Sequence, residues 1–333
     1  MKATAKMNTR HLSLLKLKMH FPALVFMLLF LSACQNDDEN SGPNKEHIAV
    51  GNAVSVSDHH VLISGYASEN GTVHSKFWIN TESSNETEFS DYIPTNTLYL
   101  KSINDHYRKV YVYKDIHGQL QNYQFDQGSL AENGRVCYYK NNVLTFMDND
   151  STGTVSSVDY HNDKPYFAGY FGKIIPSEGG NTLRPETPFV WDGHNFLETL
   201  PLPEQASVFQ GVSTIYVHDT DEAYVGGLCG VPMYWKNSEP VILDGRYGEV
   251  WQLTKSGTDL YAVGLINKHN SNSTGHTACY WKNGELHELE DNAQAYGIYI
   301  KGDDVYICGA IGTTPVNYTP CYWKNGVRVD LKL

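Results

Sequence analysis

Short apolar strands ending in glycine recur along this 333-residue chain, at residues 62–65, 166–169, 224–227, 261–264 and 306–309. Downstream of each stands an aromatic string that ends in turn residues. Its sharpest form, Cys-Tyr-Trp-Lys-Asn-Gly, occurs identically at 279–284 and 321–326. Degenerate copies at 77–80, 138–141, 190–193 and 234–237 bring the motif to six, with its aromatic at Trp78, Tyr139, Trp191, Trp235, Trp281 and Trp323. Successive spacings are 61, 52, 44, 46 and 42 residues. The second repeat keeps Tyr111 but has Lys114 in place of the glycine. Eight residues before Leu62 or the strand tyrosine stand Val54, Ile103, Val158, Tyr216, Leu253 and Ile298, one apolar register that predicts a further half-buried strand.

Each unit therefore reads as strand, polar turn, strand, loop, strand, tight turn, strand. Asn-Gly between two strands is a strong hairpin signal, because a type I′ turn needs positive φ at both central residues. The hexapeptide is then an inter-strand hairpin whose Trp packs against the next unit and whose Lys lies along apolar neighbours. Six such units predict an all-β fold, a β-propeller of six blades with four antiparallel strands each. The wide gap between Trp78 and Tyr139 leaves seven blades as the alternative, with 119–125 as a strand of the extra blade or part of an insertion. Residues 48–333 resemble short-repeat propellers, without the Trp-Asp endings, kelch double glycines or Asp-boxes of the better-known families.

Residues 1–33 carry five basic side chains and no acidic one, and end in an apolar run at 21–31. That is the charged and hydrophobic sequence of a secretory signal, too short to serve as a spanning helix. Leu31-Ser32-Ala33-Cys34 resembles the lipobox of bacterial lipoproteins, which implies cleavage before Cys34 and acylation of its thiol. The acidic stretch that follows resembles the export tag of Bacteroidota surface lipoproteins. The chain is thus expected to divide into a signal peptide (1–33), a lipidated acidic tether (34–47) and the propeller (48–333). The expected location is the outer membrane facing the cell surface, with the periplasmic side as the alternative. Without its first 33 residues the chain has a net charge of −17, from 37 acidic and 20 basic side chains. Such a balance repels phosphate backbones, so nucleic acid is excluded as a partner.

Composition offers little chemistry beyond this. The acidic turn at 218–222 has calcium-ligand residue types, but equivalent turns carry similar residues for conformational reasons, so no metal and no cofactor is expected. The five cysteines after Cys34 read as free buried thiols, with a Cys308–Cys321 disulfide as the exception to check. No nucleophile elbow, zincin helix, phosphate loop or CxxC pair is present.

Propeller geometry places the second-to-third-strand loops and the entries to the inner strands on one face. The long segments here, 66–76, 114–135, 170–188, 265–277 and 310–320, are expected to gather there. Ten residues before the tyrosine stand Lys101, Ser156, Thr214, Trp251 and Tyr296. Trp251 and Tyr296 on successive blades predict an aromatic platform for a sugar or peptide, with Lys101, Tyr170 and Phe171 as further contacts. The favoured reading is a monomeric, non-catalytic module binding a glycan, peptide or envelope protein. Its alternatives are a hydrolase or lyase with its site in the central funnel, and an adhesive surface protein.

Overall fold

The computed structural model describes residues 48–333 apart from 70–71, 95–96, 104–105, 127–133, 148–150, 178–179, 195, 205, 207, 220, 269–274 and 313–316. Cys34 and the remainder of the first 47 residues lie outside the described residues.

The repeated hairpin closes as its sequence dictates. Asn283 and Gly284 have φ of 52° and 84°, and Asn325 and Gly326 have 51° and 80°, the left-handed pair of a type I′ turn. Each Asn also reaches back to the second strand. Its Oδ1 accepts a backbone N–H from Leu260 to Asn283 (2.9 Å), from Val305 to Asn325 (2.8 Å) and from Ala223 to Asn237 (2.8 Å). The Lys lies over the strand tyrosine and pairs with an acid two residues before it. Lys282 Nζ is 5.5 Å from the Tyr261 ring centre and 2.8 Å from Asp259, and Lys324 repeats the arrangement on Tyr306 and Asp304. Trp78, Trp235, Trp281 and Trp323 are at most 1% exposed, Trp191 is buried, and Tyr139 is half-buried under the Arg108 guanidinium. Asp192-Gly193 departs from the pattern. Only its glycine has positive φ, and Trp191 pairs with Phe196, which makes that loop longer.

Six antiparallel sheets follow one another along the chain, each with its strands in sequential order. Blade I holds β1 (Ile48–Val56), β2 (Val61–Glu69), β3 (Thr72–Ile79) and β4 (Glu82–Ser84), followed by the short helix α1 (Glu86–Ser90). Blade II has five strands, β5 (Thr97–Ile103), β6 (His106–Lys114), β7 (Leu120–Asp126), β8 (Cys137–Lys140) and β9 (Val143–Phe146). Blade III comprises β10 (Gly153–His161), β11 (Lys164–Ser177), β12 (Gly180–Trp191) and β13 (Phe196–Thr199). Blade IV comprises β14 (Gly211–Asp219), β15 (Glu222–Leu228), β16 (Pro232–Lys236) and β17 (Glu239–Ile242). Blade V has β18 (Gly248–Ser256), β19 (Asp259–Asn267), β20 (His276–Lys282) and β21 (Glu285–Asp291). Blade VI has β22 (Ala293–Lys301), β23 (Asp304–Ile311), β24 (Thr319–Lys324) and β25 (Val327–Asp330).

Around the ring β5 packs on β1, β10 on β6, β14 on β10, β18 on β14 and β22 on β18, and β1 packs on β22, β23 and β24 to close it, so the fold is a six-bladed β-propeller. Among the described residues no strand is exchanged at the closure. Blade I and the C-terminal blade meet through a mixed core of Val54, Ile63 and Trp78 with Tyr306, Cys308 and Leu331. Trp78 Nε1 also donates to Lys332 O (2.7 Å), and Ala49 N to Tyr318 O (3.0 Å). The ring therefore carries all of its own described core. Buried Cys229, Cys279, Cys308 and Cys321 are free thiols and fill it as small apolar groups, and Cys137 is buried as well.

Blade II differs from the expected register. Lys140 lies 5.7 Å from the Tyr123 ring centre, and Asn141 Oδ1 accepts the Asn122 N–H (2.9 Å). These are the contacts that Lys282 and Asn283 make in blade V, so Tyr123 on β7 is the repeat tyrosine and not Tyr111. The inner apolar position is Val110, paired with Gln124, rather than Ile103. Segment 119–125 supplies the second strand of this blade and not a seventh blade. β5 is an extra strand wedged between β1 and β6.

Two segments expected as loops are instead long hairpins. β2 and β3 pair out to Glu69 and Thr72, and β11 and β12 pair out to Ser177 and Gly180. Pro176, Pro185 and Pro188 read as loop residues but sit on these paired strands, Pro176 where β11 pairs with β12 alone and Pro188 opposite Tyr170, where β11 also pairs with β10.

Candidate functional site

The inner strands of blades I, III, IV, V and VI each carry a β-bulge facing the glycine of the second strand. The bulged residues are Asn52, Ser156, Ser213, Trp251 and Tyr296. The paired glycine is required by close approach. A Cβ on Gly264 would stand 1.8 Å from Glu249 O, and one on Gly309 1.9 Å from Gln294 O. Apolar strands ending in glycine are thus the sequence trace of a bulge that re-aims one side chain per blade.

Trp251 and Tyr296 meet edge to face, with ring centres 5.3 Å apart. Trp251 keeps part of its surface accessible, while its Nε1 is enclosed and without a partner. The Tyr296 hydroxyl donates to Gln294 Oε1, whose Nε2 donates to the Tyr318 hydroxyl (2.9 Å). Burial raises the Tyr296 phenol well above its ordinary range, and the neighbouring Tyr66, Tyr318 and Glu249 add to the shift.

Two residues before Trp251 stands Glu249, 1% exposed. Its Oε1 accepts from the Tyr247 hydroxyl (3.2 Å), and its Oε2 has no partner. Burial raises the carboxyl to about 7, against the opposing hydrogen bond from Tyr247. Gln210, just before β14, approaches the Tyr247 hydroxyl without closing a hydrogen bond. In blade II, Lys109 of β6 is half-buried. Its Nζ donates to the bulge carbonyls of Ser156 (3.2 Å) and Ser213 (3.4 Å), and burial lowers it to about 8. Glu249 is thus a carboxyl buried without a counter-charge, and the Lys109 ammonium is held by backbone carbonyls.

The other expected contacts lie elsewhere. Lys101 is on β5 opposite Arg108, and its side chain lies outside the described residues. It left the expected register because its anchor, Tyr111, is not the repeat tyrosine. Tyr170 is buried against Phe209 and the face of Gly211, which places it behind the segment bearing Gln210. Phe171 points the opposite way, as successive strand residues do, and packs on Phe189 (4.6 Å) and Phe196 (5.0 Å) in the flank of blade III. Ser156 occupies its bulge. Thr214 lies one residue past the bulged Ser213, because a second irregularity near Asp219 lengthens the following turn.

Sequence reasoning missed Glu249, Gln210, Tyr247, Gln294 and Lys109. The signal for two of them was a polar residue two positions before an inner-strand aromatic, in Gly-Glu-Val-Trp and Ala-Gln-Ala-Tyr. On the opposite face, His218, Asp219 and Glu222 bring ligand atoms within 4.8 Å of one another. Glu222 is engaged by Tyr224, Lys255 (3.1 Å) and Lys236 (3.2 Å), which hold its carboxyl down at about 2. That acid closes a structural network like those at Asp259 and Asp304.

No known protein family matches the chain, and no curated protein does. Among solved structures it is similar to the WD40 β-propeller domain of Doa1, at 10% identity and TM-score 0.36 over 85% of this chain and 94% of that one. It is also similar to a thermostable family-43 glycoside hydrolase (11% identity, TM-score 0.33, 86% and 94% covered). A GH43_1 enzyme from Xanthomonas citri complexed with xylose shows 9% identity and TM-score 0.32, with 86% and 91% covered. At these values the likeness carries no inference about activity.

Proposed function

We propose that the chain is a lipid-anchored, surface-displayed, monomeric binding module that takes a glycan, a peptide or an exposed part of an envelope protein at the mouth of its funnel. In this reading Cys34 carries the acyl chains at the outer membrane and the acidic segment after it is the export tether. The observation that supports binding most is the Trp251–Tyr296 pair on adjacent bulges, set beside buried polar atoms of Glu249 and Trp251 that have no partner. Folding leaves such atoms unpaired at a cost of about 1–3 kcal/mol each, a cost that a bound ligand offsets.

The test is a glycan and peptide array probed with residues 45–333 and with Trp251→Ala. Binding that disappears in the variant supports the reading, and binding unchanged by it removes the funnel from the account. Metabolic labelling with an alkynyl fatty acid, lost in Cys34→Ser, tests the anchor. A hydrolase or lyase is the second reading. Glu249, buried with a carboxyl near 7, has the properties of a general acid. Product release from a bound array glycan, abolished in Glu249→Gln, would move the assignment there.

A further inference from the structure

The funnel mouth interleaves groups of opposite hydrogen-bonding character. Beside the Trp251–Tyr296 pair, Glu249 Oε2 is a buried oxygen without a partner, Trp251 Nε1 is a buried donor without one, and Gln210 offers both kinds. A hydroxyl both donates and accepts, so a polyol satisfies such a mixture with one functional group. The aromatic edge of Trp251 beside these atoms adds a flat apolar surface for the C–H face of a ring.

An extended peptide fits less well. It binds a sheet by adding as a strand to an unpaired edge. Here the inner edges are interrupted by a bulge in five blades, and in blade II the inner strand β6 is covered by β5. Charged ligands are opposed as well. An anion meets a chain of strongly negative balance, and a cation meets the Lys109 ammonium already held by the Ser156 and Ser213 carbonyls.

We propose that the ligand is a neutral saccharide, seated on Trp251 with its hydroxyls bonded to Glu249 Oε2 and Gln210. This rests on the binding reading given above and narrows its ligand class. The test is calorimetric titration of residues 45–333, which contain the closed ring, with four groups of probes. These are the neutral trisaccharides maltotriose, cellotriose, mannotriose and triacetylchitotriose; neutral polysaccharide fragments of mixed linkage; trigalacturonate; and a library of end-blocked pentapeptides.

The expected result is binding of at least one neutral saccharide, weakened at least tenfold by Glu249→Gln and lost in Trp251→Ala, with trigalacturonate bound more weakly by a similar factor. If Glu249→Gln does not fold, judged by its circular dichroism, Gln210→Leu takes its place with the same expected loss. A pentapeptide bound in a Trp251-dependent way, with no saccharide bound, overturns the saccharide assignment and leaves the binding reading standing. Trigalacturonate bound as tightly as the neutral sugars overturns neutrality. Saccharide binding indifferent to Trp251→Ala overturns both the assignment and the site, as does the absence of binding by any probe.

Discussion

Replacing Glu249 with Gln gives a direct readout of the orphaned carboxyl. In the folded protein this group holds its proton up to about pH 7, whereas the unfolded chain releases it near the ordinary 4.5. Between those values the folded state binds more protons than the unfolded one, so stability falls as pH rises through that window. Below 4.5 both states are protonated, above 7 both are ionised, and the dependence ends. At about 1.4 kcal/mol per pH unit the total is about 3 kcal/mol, and no screening discount applies to a side chain that is 1% exposed. The amide of Glu249→Gln cannot ionise, so the variant lacks this contribution. The assay is urea unfolding of residues 45–333 and of Glu249→Gln at half-unit steps from pH 4 to 8. The quantity read is the difference between the two proteins at each pH, which cancels the titration of every other group. The wild type should lose about 3 kcal/mol relative to the variant across the window, with the sign just given. A flat difference, or a gain for the wild type as pH rises, would refute a carboxyl buried without a counter-charge.

Further outcomes follow from the same structure. Burial lowers Lys109 in the folded state to about 8 against an ordinary 10.5, so wild-type stability should rise between those values, by at most about 3 kcal/mol because the side chain is partly solvated, since there the unfolded chain binds the extra proton. Lys109→Met should abolish that rise in alkaline urea titrations. Asn283→Gly keeps the turn's φ but loses the bonds to Leu260 and Asp259 and should cost about 1 kcal/mol. Asn283→Ala forces a left-handed residue as well and should cost about 1–2 kcal/mol more; equal melting behaviour of the two would contradict the hairpin account. Trp281→Ala should destabilise by about 3–5 kcal/mol in equilibrium unfolding, since the ring is 1% exposed, and a loss under about 1 kcal/mol would contradict its place in the core.

The propeller was legible because hairpin chemistry is local. Asn-Gly requires its φ values, Trp fills a fixed gap, and the glycine answers a bulge on the neighbouring strand, so each leaves a mark at constant register. Blade II was misread because the segment between the second strand and the hairpin varies freely in length, which let Tyr111 stand in for Tyr123. The difference becomes visible only when Lys140 is seen over the Tyr123 ring. Trp251 and Tyr296 were legible as outliers on a repeated position. Glu249 and Lys109 were not, because a charged residue in a strand reads as exposed until the ring closes around it. Phe171 was misplaced by a simpler cause, one residue of strand alternation.

The most direct measurement of the central claim is a ¹⁵N spectrum of the six tryptophan indole groups, recorded while residues 45–333 are titrated with the neutral saccharide panel. Trp251 alone stands at an inner-strand bulge, and the other five close hairpins between strands. The Trp251 Nε1 resonance is expected to move in a saturable way while the hairpin tryptophans stay in place. Saturable movement of a hairpin tryptophan with Trp251 unmoved would contradict that claim.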